Sequence, residues 1–206
     1  MTRTPAKRRA VRRAAEISRK TAETDVRVKL SLDGTGKGRI ATGIGFFDHM
    51  LDHVARHGLF DLEISAKGDL HVDHHHTVED VGLCFGEALK QALGTKHGIR
   101  RYGFAMVPMD EAMASVALDL SGRSFLVFSN PLGARSSGEF SLDLVPVFLQ
   151  ALVDRAGATL HATVHAAENP HHAAEAVFKA FGRALREAVE TDPRTAGIPS
   201  TKGILE

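Results

Sequence analysis

Hydrophobic and polar residues alternate in several segments of the chain, and each of these segments predicts a strand with one buried face. In the first, Val26, Val28, Leu30 and Leu32 alternate with charged or small polar residues. The turn-forming segment "DGTGKG" follows, and "RIATGIG" continues as a second strand, so the pattern predicts a hairpin here. The same alternation predicts strands at "DLEISAKGD", "MASVALDLSG", "SFLVFSN" and "TLHATVHA".

Four other segments repeat their apolar residues at the spacing of a helix. They are "FFDHMLDHVARHG", residues 78–93, "LVPVFLQALVDRAG" and "HHAAEAVFKAFGRALREAVE". Strands and helices come in the same order in residues 19–97 and 98–190, with Leu62 corresponding to Leu160 and His75 to His171. We therefore predict an internally duplicated α+β fold, in which two β-sheet/two-helix halves pack together.

Composition and charge place the chain among ordinary globular proteins, with 206 residues, 43% of them hydrophobic and 25% charged. Eight of the first twenty residues are Lys or Arg, and we assign residues 1–18 to a basic arm and residues 191–206 to a tail. The arm has no aromatic residues between its charges, so we expect neither nucleic acid nor a membrane as partner. The single cysteine, Cys84, lies in an apolar helical pattern, which favours a buried thiol and a reducing cytoplasm.

One phrase occurs twice, as "HHTVEDVGLCFGEAL" from His75 and as "HHAAEAVFKAFGRAL" from His171. Neighbouring histidines on a helix point about 100° apart, whereas a glutamate three or four residues further on returns to the same face. Each phrase therefore faces two directions and can give ligands to two metal ions. Imidazole and carboxylate ligands without thiolates suit Mn, Fe, Co, Ni or Zn. The doubled phrase predicts two linked metal sites.

Two further groups of residues are candidates for binding. His49, His53 and His57 are spaced four apart in the preceding helix and form one stripe on its surface. For His53 and His57, a polar cleft or a subunit contact fits as well as metal ligation. The arginines of "IRRYG" and "SGR", with the hydroxyls and lysine of "STKG", are suited to binding an anion such as phosphate.

Two alternatives account for the histidines in other ways. A metallohydrolase would use water bound to the metal, but the chain has no H-E-x-x-H motif. A metal-binding shell without catalytic activity is compatible with twelve histidines in an oligomer. The shell predicts metal uptake that does not depend on Glu23 or Arg101.

The motifs "FFDHML", "HHTVEDVG", "PMDEA", "LDLSGR", "NPHHAAEAVFKAFGRAL" and "PSTKG" together resemble the imidazoleglycerol-phosphate dehydratase family, over roughly residues 19–205. The resemblance is to the monofunctional form, because no phosphatase-like segment precedes these motifs. It implies a duplicated fold resembling the second domain of ribosomal protein S5, and an assembly of 24 subunits with active sites at subunit contacts. The implied reaction removes water from D-erythro-imidazole-glycerol phosphate, a small phosphorylated imidazole, and gives imidazole-acetol phosphate.

The resemblance also implies two Mn²⁺ ions per active site. It assigns His49, His76, Glu79 and His171 to one ion, and His75, His172 and Glu175 to the other. Val147 occupies a position where the family often has a further histidine, and valine cannot bind a metal ion. We therefore expect the second ion to bind more weakly than the first.

The remaining roles follow from the same resemblance. Glu23, in "RKTAET", is the candidate general acid and base, and Glu79 and Glu175 take part in catalysis as metal ligands. The implied substrate contacts are Glu23, His49, His53, His57, Arg101, Arg123, Ser200, Thr201 and Lys202.

Overall fold

The computed structural model describes residues 13–205, which form two four-stranded sheets, four helices and one small two-stranded ribbon. The elements of the first half are β1 (Ala14–Lys20), β2 (Thr24–Ser31), β3 (Gly38–Ala41), α1 (Gly45–Gly58), β4 (Asp61–Gly68) and α2 (His75–Leu93). The second half contains β5 (Tyr102–Met109), β6 (Ala112–Asp119), β7 (Phe125–Ser129), β8 (Ser136–Ser137), β9 (Phe140–Ser141), α3 (Leu144–Ala156), β10 (Thr159–Ala166) and α4 (Pro170–Val189).

The two large sheets have the same topology, which confirms the predicted duplication and the α+β class. Their strand orders are β1-β2-β4-β3 and β5-β6-β10-β7. In each sheet the last strand of the order runs parallel to its neighbour, and the other pairs are antiparallel. Leu30 pairs with Leu62 in the first sheet, and Leu118 pairs with Leu160 in the second. Leu30 and Leu118 therefore occupy equivalent positions.

The predicted hairpin between the strands around residues 26–41 is wrong. β3 pairs in parallel with β4, with Ile40 opposite Ile64, and it does not pair with β2. The intervening loop is held at the start of β4, because the Asp61 carboxylate accepts hydrogen bonds from the backbone N–H groups of Thr35 and Lys37. The glycine-rich segment is thus part of a crossover connection to the edge of the sheet.

Two strands of the large sheets were not predicted by the hydrophobic pattern, and neither were the two short strands of the ribbon. β1 overlaps the segment assigned to the basic arm at residues 14–18 and pairs with β2 along its whole length. Residues 1–12 of the arm lie outside the described residues. β5 carries its small residues Gly103 and Ala105 on the buried side, and Pro108 lies near its end. Small buried residues give little alternation of hydrophobicity, which explains why the sequence pattern did not predict β5.

The four helices lie between the two sheets and connect the halves. α2 packs on β1 and β2 and contacts α3 of the other half, while α4 packs on β5 and β6 and contacts α1. Phe47, Phe148 and Phe178, from three different helices, meet with ring centroids 5.4–6.5 Å apart. Buried residues of both halves therefore form one continuous core. Within residues 13–205, no helix combines the length and the apolar character needed to cross a membrane.

Two glycines allow helices of opposite halves to approach closely. Gly86 of α2 lies against α3, where an added Cβ atom would be 2.2 Å from the carbonyl oxygen of Leu152. Gly182 of α4 lies against α1, where an added Cβ atom would be 3.1 Å from the Cα atom of Val54. The two contacts occupy equivalent places in the duplicated halves, and the first leaves less space.

The outer faces of the two sheets differ in chemistry. The outer face of the second sheet exposes large apolar side chains, and Tyr102, Phe104 and Phe125 are each more than half exposed. The outer face of the first sheet carries charged side chains that pair with each other, such as Lys29 with Glu63 at 3.7 Å. An exposed apolar surface of several large side chains is typical of a protein–protein contact.

The close contact at Gly86 gives a prediction for stability. Replacing an exposed glycine within a helix by alanine usually stabilises a protein, by up to about 1 kcal/mol. We expect G86A instead to lower the free energy of unfolding by about 1–3 kcal/mol, because the new methyl group overlaps with the α3 backbone. G182A should cost less, since its contact is wider. Urea denaturation of the metal-free proteins, with K90A as a surface control, measures these differences. A G86A protein as stable as the parent would contradict the packing described.

Candidate metal and substrate site

In both repeated phrases, the side chain two residues before the first histidine accepts a hydrogen bond from the backbone N–H of that histidine. The Asn169 side chain accepts a hydrogen bond from the backbone N–H of His171 at 2.9 Å, and Pro170 occupies the first turn of α4. At the start of α2, Asp73 accepts a hydrogen bond from the backbone N–H of His75 at 2.8 Å. These bonds fix where each helix starts and hence the directions in which its histidines project.

Helix α1 brings His49 to the phrase in α4. His49 Nε2 lies 3.5 Å from Glu175 Oε2, and His171 Nε2 lies 3.1 Å from the same oxygen. One ligand atom from each of the three residues lies within 4.8 Å of the others. Glu175 is buried, whereas His49 is open to solvent. Two imidazoles and one carboxylate at this spacing fit a single divalent cation such as Mn²⁺ or Zn²⁺. We call these three residues the α4 cluster.

Lys179 and His53 surround the carboxylate of the α4 cluster. Lys179 Nζ is 2.5 Å from Glu175 Oε1, and His53 Nε2 is 3.4 Å from the same oxygen. Burial opposes ionisation of Glu175, but the hydrogen bond from Lys179 and the neighbouring positive charges bring its pKa down to about 2. Burial lowers the pKa of His53 to about 4, so its ring is neutral at pH 7. The cluster therefore has an ionised carboxylate beside a neutral imidazole.

His57 continues the histidine stripe but does not join the cluster. Its ring stacks on that of His53 with centroids 5.6 Å apart. It lines a separate cleft with Arg183 and Arg186, and burial lowers its pKa. The structure therefore separates His57 from the other predicted substrate contacts of α1.

In the α2 phrase, His76 lies between two carboxylates. Its Nδ1 atom is 3.0 Å from Asp69 Oδ2 and 3.8 Å from Glu23 Oε2. The hydrogen bond between His76 and Asp69 raises the pKa of the imidazole and lowers the pKa of the carboxyl group. His75 and Glu79 are exposed on the same helix.

Asp80 holds Glu23 close to α2. This buried aspartate accepts hydrogen bonds from Arg19 Nε, at 2.8 Å, and from Thr24 Oγ1. Arg19 and Thr24 lie on either side of the turn between β1 and β2, and the turn carries Glu23. Asp80 therefore fixes the turn on the helix while the Glu23 side chain stays exposed. Within the described part of the chain, no hydrogen bond reaches the Glu23 carboxylate.

His172 pairs with Glu111, which lies in the turn between β5 and β6. His172 Nδ1 is 2.7 Å from Glu111 Oε2. The other oxygen of Glu111 accepts a hydrogen bond from the backbone N–H of Asn169 at 2.9 Å. The bond to His172 is the main cause that lowers the pKa of Glu111 to about 2, and it raises the pKa of His172.

The α4 cluster differs from the division of ligands that the resemblance implies. The resemblance assigns Glu175 to the ion of His75 and His172, whereas the structure places Glu175 with His49 and His171. The reason is that His171 and Glu175 are four residues apart and lie on one face of α4. His172 is turned away to Glu111, with its ring plane at 82° to that of His171.

Val147 is the counterpart of His49 in the other half. α3 packs on α2 as α1 packs on α4, and Val147 and His49 each lie thirteen residues before the equivalent leucines Leu160 and Leu62. The side chain of Val147 is partly buried against the core. Helix α3 therefore brings no imidazole to the α2 phrase, which explains why only the α4 phrase gathers three ligands in the described chain.

Five of the residues predicted to bind an anion line one open cleft of about 1020 Å³, whereas Arg100 lies outside it and pairs with Glu187 and Glu190. The five are Arg101, Arg123, Ser200, Thr201 and Lys202, joined by Tyr102 and Ser121. Arg101 Nε is 2.7 Å from Asp119, and Arg101 also donates a hydrogen bond to the carbonyl oxygen of Pro199 at 2.9 Å. Neither Arg123 nor Lys202 forms an ion pair with a residue in the range 13–205. Arg123 and Lys202 are therefore the cations of this cleft that can bind an anion such as phosphate.

Most of the predicted site residues thus form three separate groups within one chain, and His57 and His172 lie outside them. The groups are the α4 cluster, the α2 phrase with Glu23, and the anion cleft. No hydrogen bond or ion pair between described residues connects one group to another.

Four residues of these groups were not predicted from the sequence: Asp69, Asp80, Glu111 and Lys179. Glu111 belongs to the "PMDEA" motif, which contributed to the resemblance without a role of its own. Asp69, Asp80 and Glu111 reach their partners through tertiary contacts, so spacing along one helix could not reveal them, whereas Lys179 lies four residues after Glu175 in the same helix. A comparison of the two halves could have identified Glu111 from the sequence, because Glu111 and the predicted site residue Glu23 occupy equivalent positions.

The comparison with known proteins agrees with these features. The family model "Imidazoleglycerol-phosphate dehydratase" matches residues 42–185. Two solved structures with that name are similar in fold. The one from Staphylococcus aureus has a TM-score of 0.78 at 36% identity and covers 87% of this chain and 99% of that one. The one from Pyrococcus furiosus, in complex with (S)-C348, has a TM-score of 0.79 at 35% identity and covers 92% and 100%.

Curated relatives are more similar still. The imidazoleglycerol-phosphate dehydratase of a Polaromonas species is 59% identical over 194 residues, which are 94% of each chain. That of Acetivibrio thermocellus is 55% identical over 94% of this chain and 99% of the relative. Similarity of this degree extends over both halves. The chain belongs to the imidazoleglycerol-phosphate dehydratase family.

Proposed function

We propose that this chain is a metal-dependent hydro-lyase that converts imidazoleglycerol phosphate to imidazole-acetol phosphate in histidine biosynthesis. The observation that carries the proposal is the α4 cluster, a three-ligand group built from one of two repeated phrases. Its ligands suit a divalent cation, and the separate cleft suits the phosphate of the substrate. The comparisons give no support to the metallohydrolase or to the non-catalytic shell.

The residues that would hold the metal ions are those of the two phrases and His49. We assign His49, His171 and Glu175 to one ion, and we propose His75, His76, Glu79 and His172 as the ligands of a second. Bound Mn²⁺, two ions per site, would supply positive charge that withdraws electron density from the nitrogen atoms of the substrate ring. The imidazole and carboxylate ligands, without thiolate, are compatible with Mn²⁺.

Glu23 is our candidate for moving protons. Removal of water breaks a C–H bond and a C–O bond, so one group must take a proton and the leaving hydroxyl must receive one. The Glu23 carboxylate is exposed and lies 3.8 Å from His76 Nδ1, close to the proposed ligands. Asp80 holds its turn in place through Arg19 and Thr24. Glu23 is therefore positioned and still able to accept a proton from the substrate.

Substrate binding would use the anion cleft and the neutral ring of His53. Arg123 and Lys202 would pair with the phosphate, and Ser200 and Thr201 would donate hydrogen bonds to it. Arg101, held by Asp119, would shape the cleft. His57, in its separate cleft, is outside this proposed contact set.

An assembly of many copies accounts for the separation of the three groups. We propose a homo-oligomer of 24 subunits, with each active site formed where copies meet. The exposed apolar face of the second sheet, including Tyr102, Phe104 and Phe125, supports the formation of subunit contacts. We place the enzyme in the cytoplasm, where the buried thiol of Cys84 would remain reduced.

The first experiment measures imidazole-acetol phosphate formation by metal-stripped protein as Mn²⁺ is added. We expect activity to rise with added Mn²⁺ until about two ions are bound per chain, because the proposed ligands form two groups. E23Q should bind the ions normally and lose roughly 10²–10⁴-fold in kcat, because no carboxylate is left to move the protons. Metal binding without product in the parent protein would contradict the proposed activity and favour the non-catalytic shell.

A second prediction concerns the anion cleft. R123M should raise KM for the phosphorylated substrate about tenfold or more, since a charge-assisted hydrogen bond of roughly 1.5–3 kcal/mol is lost. Metal affinity should stay unchanged. R194M, which removes an arginine that pairs with Asp192 outside the cleft, is the matched control. Equal KM values for the two variants would exclude the cleft as the phosphate site.

A third prediction follows from Val147. Because α3 supplies no imidazole to the α2 phrase, the two ions should bind with different affinities, and the weaker ion should belong to that phrase. V147H should strengthen the weaker site and leave the stronger one unchanged. Titration of metal-stripped protein with Mn²⁺, followed by electron paramagnetic resonance, distinguishes the two sites. Two equal affinities in the parent protein would contradict this assignment.

A further inference from the structure

The second histidine of each repeated phrase is held by a carboxylate. His76 Nδ1 is 3.0 Å from Asp69 Oδ2, and His172 Nδ1 is 2.7 Å from Glu111 Oε2. A carboxylate can only accept a hydrogen bond, so each ring in its neutral form carries its proton on Nδ1 and keeps a lone pair on Nε2. That lone pair is the one available to a metal ion. The two histidines are therefore prepared for ligation in the same way.

The two carboxylates come from different positions of the repeat. Glu111 lies seven residues before Leu118, as Glu23 lies seven residues before the equivalent Leu30. Glu111 is therefore the counterpart of Glu23 and not of Asp69. Asp69 lies seven residues after Leu62, and the same count from Leu160 leads to Ala167, which has no carboxylate.

We propose that Glu111 is a positioning residue that orients His172 for metal binding, and that it performs in the second half the task that Asp69 performs in the first. The inference rests on the proposed function, in which His172 is a metal ligand. Because Asp69 already holds His76, Glu23 needs no partner and stays free to move protons. The two equivalent glutamates thus have different tasks.

The surroundings of Glu111 support a fixed orientation. Its Oε1 atom accepts hydrogen bonds from the backbone N–H groups of Glu168 and Asn169, at 3.3 and 2.9 Å. These two residues immediately precede α4, and Asn169 also caps the helix. Glu111 therefore joins the β5–β6 turn to the start of the helix that carries His172. Because these bonds hold Oε1, the second carboxylate oxygen of Glu111, Oε2, is directed towards the imidazole of His172.

The variant E111Q tests the orientation without removing the side chain. The amide oxygen of the glutamine can keep the bonds to the backbone N–H groups, which places the amide NH₂ group towards His172. An NH₂ group donates a hydrogen bond, so Nδ1 must accept that bond and the ring proton moves to Nε2. The Nε2 lone pair is then no longer available to a metal ion. We expect the Mn²⁺ affinity of the site that contains His172 to fall on the order of ten- to a hundredfold. At saturating Mn²⁺, kcat should return to near the parent value.

Two control variants separate this role from others. E168Q removes a nearby negative charge without changing the bond to His172, and it should leave Mn²⁺ affinity unchanged. E23Q should show the opposite result to E111Q, with normal Mn²⁺ affinity and a kcat that saturating metal does not restore. Thermal unfolding of metal-free E111Q and parent protein should coincide, which excludes a general loss of folding.

Three results would overturn the inference. They are an E111Q protein that binds Mn²⁺ within twofold of the parent, an equal loss of affinity in E168Q, and a kcat of E111Q that stays low at saturating Mn²⁺ as in E23Q. Metal affinity is measured by titration without substrate, so this result does not depend on turnover. If the parent protein binds Mn²⁺ and E111Q weakens it but no product forms, the proposed activity fails while the role of Glu111 holds.

Discussion

The close approach of helices from opposite halves is the constraint on which the candidate site depends. Gly182 lets α1 lie against α4, and the same contact sets His49 beside His171 and Glu175. These ligand atoms come from helices more than a hundred residues apart in sequence. A shift of one helix along the other would separate them, because a protein interior is too closely packed to adjust around a misplaced helix. The α4 cluster is therefore a consequence of how the two halves pack, as much as of the repeated phrase.

Duplication gave the chain two similar halves, and single residues then make them different. His49 has Val147 as its counterpart, so one phrase receives an imidazole from its neighbouring helix and the other receives a valine. Glu23 has Glu111 as its counterpart, and one is exposed while the other is bound to His172. The backbone framework is preserved in both cases. The chemistry of the two halves is therefore set by a few side chains on equivalent strands and helices.

The sequence predicted the parts of this structure that depend on local periodicity. Alternation located β2, β4, β6, β7 and β10, and helical spacing located all four helices within a few residues. It could not show that β3 crosses over to pair with β4, because the decisive contact is between Asp61 and a loop more than twenty residues away. It also missed β5, whose buried side consists of small residues such as Gly103 and Ala105.

For the site, the doubled phrase identified the candidate ligands, and the resemblance named candidate phosphate contacts, which the structure brings into one cleft. Helical spacing of three or four residues was equally compatible with two divisions of the ligands, and only the packing of α1 on α4 places Glu175 with His49. The carboxylates that hold His76 and His172 come from a loop and a turn. Their positions depend on how the neighbouring strands pair with each other, and the residue pattern of a single strand or helix does not show this pairing.

The contrast between the two outer sheet faces limits how copies can associate. One face is apolar, with Phe104 and Phe125 exposed, and the other carries paired charges such as Lys29 and Glu63. A subunit with the same apolar surface on both sides could stack without end into a fibre. In the proposed assembly, burial of the apolar face would leave the charged face directed away from the contact, where it would stay hydrated. A subunit with one apolar and one charged outer face favours closed assemblies of finite size over open filaments.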